Sequence, residues 1–160
     1  MVRAFCDLWA TKLDETDVSE PRVVDSQIRV RYAETDAEGV VYYANHFVYM
    51  EVGRVNYLRA LGFDPGHWNH SDWGIVVVEA SCRYHSPARF DDLLIVRTWP
   101  EDVRRTSFAF VYEIVHAADG RSIAHARTVQ VAVDLGSMRP IRLPPEVRDM
   151  LSAAATADGR

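Results

Sequence analysis

One segment constrains the fold more than any other. Asn45 to Leu61 is the single long helix-like run in a chain otherwise written in strand period. Its apolar residues Phe47, Val48, Met50, Val52, Val55, Leu58 and Leu61 cover most of the helix circumference. Such a helix must be enclosed by other elements rather than laid on a surface. Gly53 in its middle costs ~1 kcal/mol relative to alanine, which predicts a close backbone approach. Gly62 has the position of a C-cap, and Pro65 follows it.

The material available to enclose that helix is strand. In Gln27 to Tyr32, apolar Ile28, Val30 and Tyr32 alternate with Gln27, Arg29 and Arg31, the period of a half-buried strand. Four more strand-like runs follow: Gly74 to His85, Leu93 to Trp99, Ser107 to His116 and Ile123 to Asp134. Asp119-Gly120 marks a tight hairpin between the last two. One helix cannot cover both faces of a parallel sheet, and the turns are too short for crossovers. The expectation is an α+β hot-dog fold, a five-stranded antiparallel sheet wrapped around one long central helix. Its edge strands need cover. A homodimer or a dimer of dimers, paired edge to edge, would supply it.

The chain of 160 residues, 48% hydrophobic and 26% charged, suits one domain. Residues 1–24 read as an N-terminal extension containing the acidic run Asp14 to Pro21, or as an arm docking on a partner subunit through Phe5, Leu8 and Trp9. The domain is expected over 25–152. A short helix starts near Pro144-Pro145 and ends by Leu151, and 153–160 is a loose tail. A net charge of −5 with a single lysine, Lys12, argues against nucleic acid as a partner. No run approaches the ~20 apolar residues of a membrane span, and no signal peptide is evident. Cys6 and Cys82 make no disulfide framework, so a cytoplasmic setting is expected.

The chemistry is concentrated in Glu34-Thr35-Asp36-Ala37-Glu38-Gly39-Val40-Val41-Tyr42-Tyr43-Ala44-Asn45-His46. Asp36 sits in a glycine-containing turn shortly before the helix N-terminus. The turn offers a carboxylate that can attack a carbonyl or activate water. The helix offers unpaired backbone N–H groups, backed by a dipole of roughly half a charge, to hold an oxyanion. Asp is also a common cap or turn residue, but Asp36 lies too far upstream to cap Asn45. The spacing of Glu34, Asp36 and Glu38 resembles a calcium loop. However, Asn45 stands where its last acidic ligand belongs, so metal binding is rejected. His67 and His70 have a spacing too common to imply zinc.

From Thr35 to Asn45 the chain resembles the signature of the 4-hydroxybenzoyl-CoA thioesterase family. The resemblance continues through Glu51 and Arg54, Tyr84 to Asp92, and Arg104-Arg105-Thr106-Ser107-Phe108, covering about residues 26–150. It implies a hot-dog acyl-CoA thioesterase, active as a dimer or tetramer, with no cofactor. By the same resemblance Asp36 is the catalytic carboxylate. The Tyr43 backbone N–H polarises the thioester carbonyl. Arg104 and Arg105 meet the CoA phosphates. Tyr42, Asn45, His46, Glu51 and Ser107 are the further substrate-side candidates. Thr106 and Ala44 depart from residues that some members carry, which leaves the phosphate grip and the acyl preference open.

Thioester chemistry suits this inventory. A thiolate of pKa near ~8.5 leaves without strong acid catalysis, so no full triad is needed, and no G-x-S-x-G elbow exists. Asp36 would serve as nucleophile or as general base. Glu51 is read as orienting the active-site turn or as a surface acid paired with an arginine. Cys82, in register with Val76, Val78, Ala80 and Tyr84, reads as a core thiol. Tyr42, Tyr43, Phe47 and Trp68 line an acyl pocket or the core. His85, His116 and His125 lie in strands, where solvent-facing or hydrogen-bonded roles are expected. The alternative functions are a hot-dog hydratase or dehydratase built on Asp36 and His46, and a non-catalytic acyl-CoA-binding module.

Overall fold

The computed structural model describes residues 22–63 and 72–155. The readings at 1–21, and those at Pro65, His67, Trp68 and His70, lie outside the described residues. The elements are β1 (Val24–Arg29), α1 (Asn45–Ala60), β2 (Trp73–Tyr84), β3 (Leu93–Glu101), β4 (Ser107–His116), β5 (Ser122–Asp134) and α2 (Pro145–Ala155). A 3-10 turn, Tyr32–Glu34, lies between β1 and α1.

The strands form one antiparallel sheet in the order β1-β3-β4-β5-β2. Period-2 alternation turns Leu94, Val96 and Thr98 of β3, and Phe108, Phe110, Tyr112 and Ile114 of β4, to the buried face. α1 lies across that face, which is the expected architecture. The Tyr57 ring meets Phe110 edge-on with centroids 5.1 Å apart. Gly53 permits the approach, since a Cβ there would stand 2.6 Å from Thr98 Oγ1 and 3.0 Å from Val96 Cγ1. The helix ends as its glycine predicts. Gly62 takes φ +88°, and the Gly62 and Phe63 N–H groups donate back to the Arg59 and Leu58 carbonyls.

Four details differ from the sequence reading. β1 begins at Val24 and ends at Arg29. Tyr32 is therefore not an inward strand residue but 76% exposed, because the chain enters the 3-10 turn there. α2 continues to Ala155, and Ala154 is buried with Val147 and Leu151 one or two turns earlier, so 153–155 are helical rather than loose. β2 carries a bulge between Val77 and Glu79. Ala80, Cys82 and Tyr84 therefore share a face with Ile75 and Val77, not with Val76 and Val78. Finally, the described elements of one chain enclose α1 on one side only. Tyr49, Met50, Tyr57 and Leu58 are buried, while Phe47, Val48 and Val52 stay open.

Candidate active site

The Asp36 turn is built by backbone geometry. Gly39 takes φ +72°, a conformation glycine adopts without strain. The turn closes with Asp36 N–H on the Val40 carbonyl and Gly39 N–H on the Asp36 carbonyl. The Asp36 carboxylate then accepts the Glu38 N–H (3.0 Å) and the Val40 N–H (3.3 Å), both on Oδ1. Oδ2 has no donor among the described residues.

Asp36 faces a cavity of about 360 Å³, also lined by Val41, Tyr43, His46, Tyr84 and Ala88. Most of the lining is apolar, as an acyl group would require. The Tyr43 carbonyl is held by three donors: the His46 N–H at 3.3 Å, His46 Nδ1 at 3.2 Å and the Tyr84 hydroxyl at 3.1 Å. Among the described residues, the Tyr43 N–H has no acceptor. Burial holds His46 below the ordinary histidine range, so at neutral pH its ring is uncharged and donates through Nδ1. Burial also pushes the Tyr84 hydroxyl up to about 12, which keeps it a donor.

Glu34 ties this turn to α1, a role the sequence reading did not find. It is buried (7% exposed). Its carboxylate accepts the Tyr49 hydroxyl at 2.8 Å, the Arg31 N–H at 2.8 Å and the Arg31 guanidinium at 2.8 and 2.5 Å. Its carbonyl accepts Asn45 Nδ2 at 2.8 Å and the Tyr42 N–H at 2.9 Å. Burial pushes the Glu34 carboxyl up, but the hydrogen bonds from Arg31 and Tyr49 outweigh it and hold it below the usual glutamate range.

The remaining candidates fall elsewhere. Tyr42 is exposed and packs on the Tyr43 ring at 4.5 Å. Asn45 spends its side chain on Glu34. Glu51 pairs with Arg54 at 2.5 Å and lines a separate small cavity with Phe47, Val77 and Tyr112. Arg104 and Ser107 line another, of about 220 Å³, with Asp102 and Arg127. Arg105 does not line it; its carbonyl accepts the Leu143 N–H. Both arginines precede β4 in a turn, rather than starting the strand.

The family model of the thioesterase-like superfamily matches residues 30–151, spanning the Asp36 turn, α1 and all of β2 to β5. The chain belongs to the thioesterase-like superfamily. Within this superfamily it is 37% identical over 123 residues to the acyl-CoA thioesterase YbgC of Haemophilus influenzae, covering 76% of this chain and 88% of that one. It is 34% identical over 120 residues to the acyl-CoA thioester hydrolase YbgC of Escherichia coli O157:H7, covering 75% and 89%. In fold it matches Slr0204, a 1,4-dihydroxy-2-naphthoyl-CoA thioesterase of Synechocystis, with TM-score 0.77 and 23% identity over 82% of this chain and 96% of that one. No helix among the described residues is long and apolar enough to cross a membrane.

Proposed function

We propose that the chain hydrolyses an acyl-CoA thioester to the free acid and CoA. The observation that carries this reading is the meeting of Asp36 and Tyr43 on one largely apolar cavity, in a thioesterase-like superfamily member. In the proposed mechanism the Tyr43 N–H holds the thioester carbonyl oxygen, and its hydrogen bond strengthens as negative charge builds there. Asp36 acts through Oδ2, because Oδ1 is occupied by the turn. Either Oδ2 attacks the carbonyl carbon, expels the thiolate and leaves an anhydride for water to open, or it takes a proton from the attacking water. His46 and Tyr84 hold the Tyr43 peptide while this happens.

The deciding experiment is thiol release from several acyl-CoAs. Asp36→Asn is expected to lower kcat by at least about 100-fold, a loss on the scale of removing a catalytic acid or base, with an unchanged circular dichroism spectrum. Near-normal turnover in that variant refutes the role of Asp36. Label from ¹⁸O-water in Asp36 after a single turnover marks the anhydride route with water opening the aspartyl carbonyl; label in the product acid alone excludes that opening. His46 shares the cavity with Asp36, so hydration of an enoyl-CoA is the comparison assay for the hydratase reading.

The active form is proposed to be a homodimer or a dimer of dimers. Among the described strands β2 is an edge, with Val77 and Val78 exposed beside the open α1 flank of Phe47, Val48 and Val52. Such an edge is a template for pairing. The cation of the CoA clamp adds a second argument. β5 meets the Asp36 end of the sheet at Ala124, opposite Tyr84, and the Arg104 end at Val131, opposite Ser107. About seven residues at ~3.3 Å make a separation of roughly 23 Å within one chain. Antiparallel pairing of two β2 edges about a two-fold axis brings the Trp73 end of one beside the Tyr84 end of the other. Arg104 would then serve the partner's Asp36. A cytoplasmic setting suits the free, half-buried Cys82 thiol.

A further inference from the structure

We propose that Arg127, rather than Arg105, is the second cation of the Arg104 cavity, and that Asp102 is its resting counterion, displaced when a phosphate enters. The proposal rests on the acyl-CoA reading for its ligand, the nucleotide phosphates of CoA. Its geometry does not depend on that reading.

Arg104 and Arg127 approach one cavity of about 220 Å³ from different elements, the turn before β4 and the middle of β5. Ser107, Phe108, Ala109 and Val129 complete the lining. Two arginines and a serine on one concavity are residue types whose donors match a phosphate. The same cavity holds one carboxylate. Asp102 meets Arg127 Nη2 at 2.7 Å, and its backbone takes φ +49°. This is an uncommon conformation for a residue other than glycine, and it requires support from its surroundings. The carboxylate is about half exposed, at 52%, so it can swing into solvent without burying an unpaired charge. A phosphate entering the cavity offers Arg127 the same oxygen chemistry with more charge. Asp102 is therefore a competitor for the site as well as a brace for Arg127.

A brace and a competitor give opposite signs on mutation, which makes the assignment testable. The probe is adenosine 3′,5′-bisphosphate, titrated calorimetrically into the full chain at low salt. Arg127→Ala is expected to raise Kd at least about tenfold, the loss of one charge-assisted hydrogen bond. Asp102→Asn is expected to lower Kd several-fold. Arg29→Ala, which removes the same charge at the Leu93 end of β3, the end opposite Asp102, controls for net charge and is expected to leave Kd unchanged. With acyl-CoA substrates, Arg127→Ala should raise KM while leaving kcat and the turnover of acyl-pantetheine esters near wild type. An Asp102→Asn variant that binds more weakly overturns the counterion role. An Arg127→Ala variant that binds as wild type overturns the whole assignment. Because the primary readout is binding, it stands apart from the hydrolysis tests of Asp36.

Discussion

Glu34→Ala tests which acid holds the Asp36 turn. The variant leaves the Tyr49 hydroxyl without its acceptor inside the core, where Tyr49 is 1% exposed. An unpaired buried hydroxyl costs about 1–3 kcal/mol. The Arg31 contacts add little, because that side chain is 73% exposed and its guanidinium returns to water. The loss is therefore set by the orphaned hydroxyl, about 1–3 kcal/mol. A chain of this size loses about 2–4 °C per kcal/mol, so Tm is expected to fall by roughly 2–12 °C. Tyr49→Phe removes the orphaned hydroxyl itself and should cost less. In the double variant the two losses should fall short of additive.

The pH dependence follows from the sign of the shift. The Glu34 pKa is lower folded than unfolded, so its stabilisation is complete above the unfolded carboxyl value. It is lost as pH falls through the folded one. Wild type should therefore lose stability below about pH 4 more steeply than Glu34→Gln, in thermal melts across pH 3–7. Thiol-release assays at 25 °C, where both proteins are folded, should find kcat reduced in Glu34→Ala and Glu51→Gln close to wild type. The reasoning is refuted if Glu34→Ala melts and turns over as wild type, or if Glu51→Gln is the variant that loses turnover.

Gly53→Ala should destabilise by about 1–3 kcal/mol in denaturant unfolding despite alanine's better helix propensity, because its methyl would collide with Thr98 and Val96. Thr98→Val should be neutral or stabilising by about 1 kcal/mol, since the Thr98 hydroxyl is buried with no partner among the described residues. If Arg104 serves the partner's cavity, refolding Asp36→Asn together with Arg104→Ala should regenerate sites with wild-type KM in mixed dimers. A mixture that behaves as the average of its parents counts against a shared site.

The helix, the strand periods and the Asp36 turn were legible because each repeats or follows a local rule. An enclosed helix declares itself over four turns, and Gly39 and Gly62 mark positive φ. Glu34 was not legible as a support, because a 3-10 turn of three residues has no period and reverses the facing of its last residue. Arg127 stands opposite Val111 and Ser81 in the sheet, and nothing local directs it toward Arg104, 23 positions earlier in the chain. That convergence is tertiary. The end of α2 was missed because Ala154, the residue that docks its last turn, is too small to carry a hydrophobic signal.

The bulge in β2 decides the last prediction. Val77 stands opposite Gln130 and Glu79 opposite Val129, so Val78 is left without a ladder position of its own. It is 59% exposed on an edge that no described strand covers. Within a single chain, Val78→Lys therefore changes a surface residue and should cost no more than about 0.5 kcal/mol. In an edge-to-edge dimer the same lysine appears twice by symmetry, near the axis, and the like charges and their desolvation cost several kcal/mol. The two situations separate in one set of measurements. The variant should keep the wild-type circular dichroism spectrum, sediment and scatter light as a monomer at micromolar concentration, and show a raised KM for acyl-CoA because each cavity lacks its partner's cations. Natural edge strands use lysine for the same purpose, to keep sheets apart. A Val78→Lys protein that retains the mass and activity of wild type would mean that β2 is not the pairing edge, and the shared-site argument would fall with it.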